Sequence, residues 1–305
     1  MKIKTFFFTI LIITGLIVLV RAQDVTGTGS ADNSPSTNSA IRSSDNGVQQ
    51  QLQGFNLNGY NNTGQKTWDV NGDKADISDD KIKITKVDAN FYGKENANLK
   101  SDSGTINKVT NQVHLQDNVV ITADRGTKMT TDTLDWDRNK DLVTTKDPVK
   151  ITDEQGVVTG QGLTAHPNLK EASINKDVKA VINTAANPVN AANAQVVTIT
   201  CDGPMKMDQL NFHATFKDNV VAVEKSTGRQ LYADEMDVWF DDKNKRIKKV
   251  ICKGHVKAVQ GNSASYADEM VYTGDDELLV MTGRPKIVFD TADTKGSGMF
   301  QKIGK

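Results

Sequence analysis

The feature that most limits what this chain can become is a strand-like unit written several times over. Residues 231–259, LYADEMDVWFDDKNKRIKKVICKGHVKAV, read as a strand (231–240), a polar turn (241–245), a strand (247–252), a corner at Gly254 and a further strand (256–259). The order returns at 131–151, where Asp132, Leu134 and Trp136 precede Arg138-Asn139-Lys140 and Asp147-Pro148-Val149. It returns again at 266–289, where Asp268, Met270 and Tyr272 precede Gly274-Asp275-Asp276, Gly283 and Ile287. Successive strand side chains point to opposite faces, so this alternation predicts one dry face and one wet face.

A landmark punctuates the repeat: an acidic residue or Gly, one free position, then an apolar residue entering a strand. It stands at Asp117-Asn118-Val119, Asp147-Pro148-Val149, Gly203-Pro204-Met205, Asp218-Asn219-Val220 and Gly254-His255-Val256, with a looser copy at Lys176-Asp177-Val178. From Val119 to Val149 to Val178 the steps are 30 and 29, and from Val220 to Val256 the step is 36. A period of that size, with about three short strands per unit, predicts stacked rungs, none of which buries its apolar face alone. The pattern slips over 183–200, where NTAANPVNAAN is small, polar and interrupted by proline. Two β domains are therefore expected, at 51–185 and 190–295, with 296–305 as a tail.

No helical periodicity follows the N-terminus, so the body reads as nearly all β. At 25% charged residues and a net charge of −1, no global field favours nucleic acid or an anionic membrane. Lys2 and Lys4 precede an apolar run from Phe6 to Val20, and Val20-Arg21-Ala22 offers a cleavage site. Residues 1–22 are then either a removed signal peptide or an uncleaved anchor using 3–20. Residues 23–50, rich in Ser, Gly, Asn and Asp, read as a flexible tether.

Chemistry-bearing constellations are sparse. Cys201 and Cys252 occupy equivalent repeat positions, which permits a disulfide if their rungs are neighbours and otherwise two small buried hydrophobes. His114, His166, His213 and His255 are isolated and show no metal-ligand spacing. Asp79-Asp80, Asp241-Asp242 and Asp275-Asp276 sit beside turn residues and read as solvated turns, not as acid/base pairs. No nucleophile elbow, phosphate loop or dinucleotide fingerprint appears, so neither a cofactor nor an enzymatic reaction is expected.

Two sets of residues carry a resemblance. Over 55–149, F-x-L-x-G from Phe55, G-x-K-x-W-x-V (Gly64, Lys66, Trp68, Val70), A-x-I (Ala75, Ile77), V-x-A-x-F-Y (Val87, Ala89, Phe91, Tyr92), S-D-x-G from Ser101, L-x-x-N-V-x-I from Leu115 and T-D-x-L-x-W from Thr131 resemble LptC, the inner-membrane component of the lipopolysaccharide-transport bridge of Gram-negative bacteria. Over about 195–290, D-N-V (218–220), A-D-E-M (233–236 and 267–270) and G-H-V (254–256) are similar to the OstA-like domain of LptA.

The resemblance implies two open β-jelly-roll (OstA-like) domains of stacked antiparallel repeats. It also implies a periplasmic location, tethered to the inner membrane if residues 3–20 are kept. Partners would be lipopolysaccharide and other transport proteins, an inner-membrane ABC transporter and an outer-membrane translocon, met through exposed edge strands. Head-to-tail self-association stays open. Lipid acyl chains would lie in an apolar groove, lined in the first domain by Phe55, Leu57, Trp68, Val70, Ile84, Phe91, Val119, Ile121, Leu134 and Trp136. In the second it would be lined by Met205, Met207, Phe212, Val220, Met236, Val238, Val256, Met270 and Tyr272. A closed core produces the same alternation. The alternative function is an exported β-solenoid interaction module without lipid transport; a secreted β-helix carbohydrate enzyme would need converging carboxylates.

Overall fold

Alternation at period two becomes long strands. The computed structural model describes residues 42–44, 47–93, 96–123, 126–153, 156–166, 170–183, 196–241, 247–276 and 278–289, and every regular element among them is a strand. The described residues divide into two units, one gathering those of 42–153 and 159–174, the other those of 156–158 and 175–289. Of the stretch expected to link two domains, 183–200, residues 184–195 lie outside the described residues, as does the expected leader or anchor.

In the first unit, β1 (Arg42–Ser44), β2 (Gly47–Tyr60), β3 (Lys66–Ile77), β4 (Lys81–Phe91), β5 (Ala97–Asn107), β6 (Gln112–Ala123), β7 (Lys128–Asp137) and β8 (Leu142–Asp153) each pair antiparallel with the next. Next come β9 (Gly156–His166) and β10 (Glu171–Asn183). In the second unit β11 (Val196–Cys201) pairs with the end of β10. Both β11 and β12 (Met205–Asp208) then pair with β13 (His213–Glu224). From there β14 (Gln230–Phe240), β15 (Ile247–Gln260) and β16 (Ser263–Thr273) follow in order. One half of β16 is covered by β17 (Leu278–Thr282) and the other by β18 (Lys286–Val288).

Two sequence expectations need correction. The period near 30 is not a rung of three short strands; it is a hairpin of two long ones, since Val119 lies on β6 and Val149 on β8. Nor is Gly254 a corner between strands, because β15 runs unbroken from Ile247 to Gln260. Strand pairing also begins inside the stretch read as a tether: β1 and the start of β2 fall within 42–50. A ladder is made by backbone groups, so polar side chains do not prevent it.

The landmark is a β-bulge. Asp117 and Asn118 have φ of 62° and 54°, and they sit in a register break between Gln116 and Val119. Asp218-Asn219 (64° and 53°) and Gly254-His255 (73° and 46°) do the same between Lys217 and Val220 and between Lys253 and Val256. Each time, two left-handed residues stand against one aspartate on a neighbouring strand: Asp132 for the first, Asp234 for the second and Asp268 for the third. Asn, Asp and Gly tolerate this conformation best, which is why they recur there.

Side chains lock the arrangement across the strands. Asn118 Nδ2 donates to Asp102 at 2.6 Å and Asn219 Nδ2 to Asp202 at 2.7 Å, while His255 Nδ1 meets Asp234 at 2.8 Å. Asp234 holds the His255 imidazole above its ordinary pKa. At Gly254 a Cβ would collide with the Asp234 carboxylate. Pro148 and Pro204 are the exceptions, because a proline ring fixes φ near −65° and forbids the left-handed pair. The β7–β8 ladder instead opens from Thr130 to Asp135, bridged by the Thr133 hydroxyl donating to Asp147.

Bulges bend strands and sharpen their twist. The residue after each one is almost wholly buried: Val119 is 0% exposed, Val220 1% and Val256 1%. Within each unit the inner face of a single sheet is dry on both sides of the bulge line. It must therefore fold upon itself, since no second layer exists among the described residues of either unit.

Candidate functional site

The inner face is organised in rows that run strand to strand. In the first unit Ala75, Ile84, Gly104, Leu115 and Leu134 are successive partners on one side of the bulges. On the other side Val70, Ala89, Leu99, Ile121, Met129 and Ile151 follow one another. Two glycines make room for rings: Phe55 lies over Gly72 and Trp68 over Gly59, each its cross-strand partner. A Cβ at either glycine would overlap the ring.

In the second unit the main row is Met205, Phe216, Met236, Cys252, Met270 and Met281. Beside it run Met207, Ala214, Val238, Val250, Tyr272 and Leu279. Across the bulges the inner row is smaller, with Ile199, Ala222, Leu231, Ala258, Ser265 and Ile287. Unbranched methionine adapts its shape at little cost, so this interior deforms more readily than the branched one of the first unit.

Of the residues expected to line a groove, Phe55, Ile84, Phe91, Val119, Ile121, Leu134, Trp136, Met205, Met207, Val220, Met236, Val238, Val256 and Met270 are buried on the inner faces. Trp68, Val70 and Tyr272 are half-buried. Leu57 is 43% exposed, for it stands on β2, whose partner over that stretch is β3 alone among the described residues. Phe212 closes the β12–β13 turn with φ of 49° and belongs to no inner row. Sequence reasoning passed over Phe216, Leu99, Leu115 and Met129, while Cys252 takes the inward, buried position that one of its two sequence readings allowed. Counting two residues outward from each bulge finds most of them.

Cys201 and Cys252 are free, buried thiols. They lie on β11 and β15, separated by β13 and β14 in pairing order, so the bridge considered from the sequence does not form. Burial pushes the Cys201 thiol up to about 11 and that of Cys252 up to about 12. Neither supplies a thiolate at neutral pH.

The outer face is wet and densely hydrogen-bonded. His114, His213 and His255, isolated in sequence, each meet an aspartate of an adjacent strand, Asp135 at 2.7 Å, Asp237 at 2.9 Å and Asp234 at 2.8 Å. An amide ladder crosses β2 to β5: Asn56 Nδ2 donates to Asn71 at 2.5 Å, Asn90 to Asp69 at 2.8 Å and Asn98 to Asn90 at 2.8 Å. A cleft of about 370 Å³ lies at the open β7–β8 seam, with Thr131 and Val149 in its floor and Asp132 and Lys150 beside them. Among the described residues no group of three or more His, Cys, Asp or Glu could hold a metal ion.

Asp69 anchors the ladder, accepting from Lys66 Nζ at 2.6 Å and from the Tyr92 hydroxyl at 2.7 Å. Burial opposes its charge, but the hydrogen bonds of Lys66, Asn90 and Tyr92 hold its carboxyl below the usual 3.8. A carboxyl depressed by folding stabilises above its unfolded pKa and loses that contribution as pH falls through the folded value. The first unit should therefore weaken from about pH 4 downward. Asp69→Asn should cost about 1–3 kcal/mol at pH 7 and flatten that acid limb in urea titrations. A variant as acid-sensitive as the parent contradicts this.

A folded sheet with a dry interior, a wet exterior and no assembled catalytic group among the described residues defines a protein that encloses or packs apolar matter. Comparison with known families gives the particular case. The chain belongs to the LptC-related lipopolysaccharide-assembly family, whose model matches residues 9–183. A second match, the LptA/(LptD N-terminal domain) LPS transport protein family, covers 198–305. The chain is thus a protein of periplasmic lipopolysaccharide transport, with the two parts in the order that its motifs suggested. Among solved structures it is similar to LptH, the LptA-homologous periplasmic component of the lipopolysaccharide transport device of Pseudomonas aeruginosa. That likeness stands at 9% identity and a TM-score of 0.29, covering 55% of this chain and 96% of the other. No curated protein matches the chain.

Proposed function

We propose that the inner faces of both units hold the acyl chains of lipopolysaccharide while its sugars and phosphates stay in water, and that the chain is a segment of a bridge from inner to outer membrane. The observation that carries this reading is the continuity of the two rows of the first unit and the two main rows of the second: apolar partners succeed one another across five or six strands with no polar break. Apolar burial contributes about 25 cal/mol per Å² and has no direction, so a chain can move along such a row without losing any single obligatory contact.

Strand addition at the edges provides the assembly. The last strands leave Leu278, Leu279, Val280, Ile287, Val288 and Phe289 exposed, a combination of apolar side chains and edge backbone that favours pairing with another chain. A further transport protein on either side, or a second copy, fits these edges. The apolar run at 3–20 serves as the membrane tether if it is not cleaved.

Purification from a Gram-negative envelope tests both parts. Extracted lipid should contain lipopolysaccharide, and Leu278→Lys with Val288→Lys, exposed positions outside the inner rows, should lower capture of bridge partners about tenfold while leaving the lipid. A preparation free of lipopolysaccharide overturns the carrier reading. Undiminished capture overturns the edge.

A further inference from the structure

Trp136 is 6% exposed, yet its indole Nε1 has no hydrogen-bond partner among the described residues. It sits on β7 between Val113 of β6 and Val143 of β8, both apolar, and two residues beyond Leu134, which is 1% exposed. The Arg138 guanidinium lies 5.8 Å from its ring centroid. An unmade bond to a buried donor is unfavourable, and Phe or Leu would fill this row without that cost. Such a donor is understandable where a ligand completes it.

Resting on the lipid reading above, we propose that Trp136 is a polar anchor within the first unit's interior, donating its N–H to an oxygen carried on an acyl chain, a hydroxyl or an ester carbonyl near the headgroup end. The rest of the row is hydrocarbon and treats every apolar chain alike. Trp136 therefore sets the register of a chain along the row and discriminates oxygenated acyl chains from plain ones. A single hydrogen bond made in a dry site is enough for about a tenfold preference, because the unpaired donor penalises the plain chain.

The test uses the full chain and two probes, 3-hydroxytetradecanoic and tetradecanoic acid, each displacing a fluorescent apolar dye. Trp136→Phe removes the donor but also volume. A second variant therefore carries 3-benzothienylalanine at position 136, which keeps the indole shape with sulfur in place of N–H. Wild type should bind the hydroxylated acid about tenfold more tightly. The sulfur isostere should bind both acids equally and melt at or above the wild-type temperature, since it removes a buried unpaired donor.

A preference that survives in the isostere, or equal affinities in wild type, overturns the role of Trp136 and leaves the carrier reading in place. Dye displaced by neither acid from any form of the protein overturns the carrier reading and the anchor with it.

Discussion

Deleting Asn118 should unfold the first unit. With one residue gone, Asp117 alone would face Asp132 and the β6–β7 ladder would run in phase through the former break. Side chains alternate, so a one-residue change turns everything beyond it to the opposite face. Either Val113 and Leu115 or Val119 and Ile121 would then point outward. Val119 is 0% exposed and Ile121 3%, and each loses about 1.5–3 kcal/mol on leaving the interior.

Neighbouring β5 and β7 would lose their matched partners too, and a domain with about 5–15 kcal/mol of total stability does not survive that. Asn118→Gly is the informative control. It keeps the residue count and the left-handed backbone and removes only the exposed bond to Asp102, for a change within about 1 kcal/mol. Circular dichroism and limited proteolysis read both. A deletion variant that melts like the parent contradicts the bulge as the device that sets the inner face.

Phe216→Ala should destabilise the second unit by about 3–5 kcal/mol. The ring is 2% exposed and stands in the main row between Met205 and Met236. Removing it leaves a cavity that branched neighbours could not fill and that methionines fill only in part. Phe216→Met should cost under about 1.5 kcal/mol, as a nearly volume-conserving swap into a methionine row. Leu57→Ala, at an exposed position, should stay within about 0.5 kcal/mol. Urea unfolding of the three variants gives the order, and equal losses at Phe216 and Leu57 contradict the assignment of the inner face.

The sequence showed the strands and the landmarks because both are local. Alternation follows from the pleat, and Asp-Asn or Gly-His marks a left-handed pair whatever surrounds it. The meaning of the landmark was not local. Whether Gly254-His255 ends a strand or bulges one depends on Asp234 and Asp268, which belong to other strands. Once the bulge is recognised, the period near 30 resolves into a hairpin and the inner positions can be counted outward from it.

Phe212 was misplaced for the same reason. Its aromatic character suggested the interior, but it follows Asp208, whose Oδ1 accepts the Asn211 N–H at 3.0 Å to close a turn. The family motifs were legible where spaced residues agree. The orphaned Nε1 of Trp136 was not, since the absence of a partner is a property of the packed interior alone.

Photocrosslinking in the envelope tests the central claim most directly. A photoreactive residue at Leu134 and another at Met236, both inward and buried, should form adducts with lipopolysaccharide. The same residue at Lys83 or Lys253, both exposed, should form none. Capture confined to the inward positions is the result this account predicts; no capture at either inward position, or equal capture at all four, would show that the apolar rows are a closed core and carry no lipid.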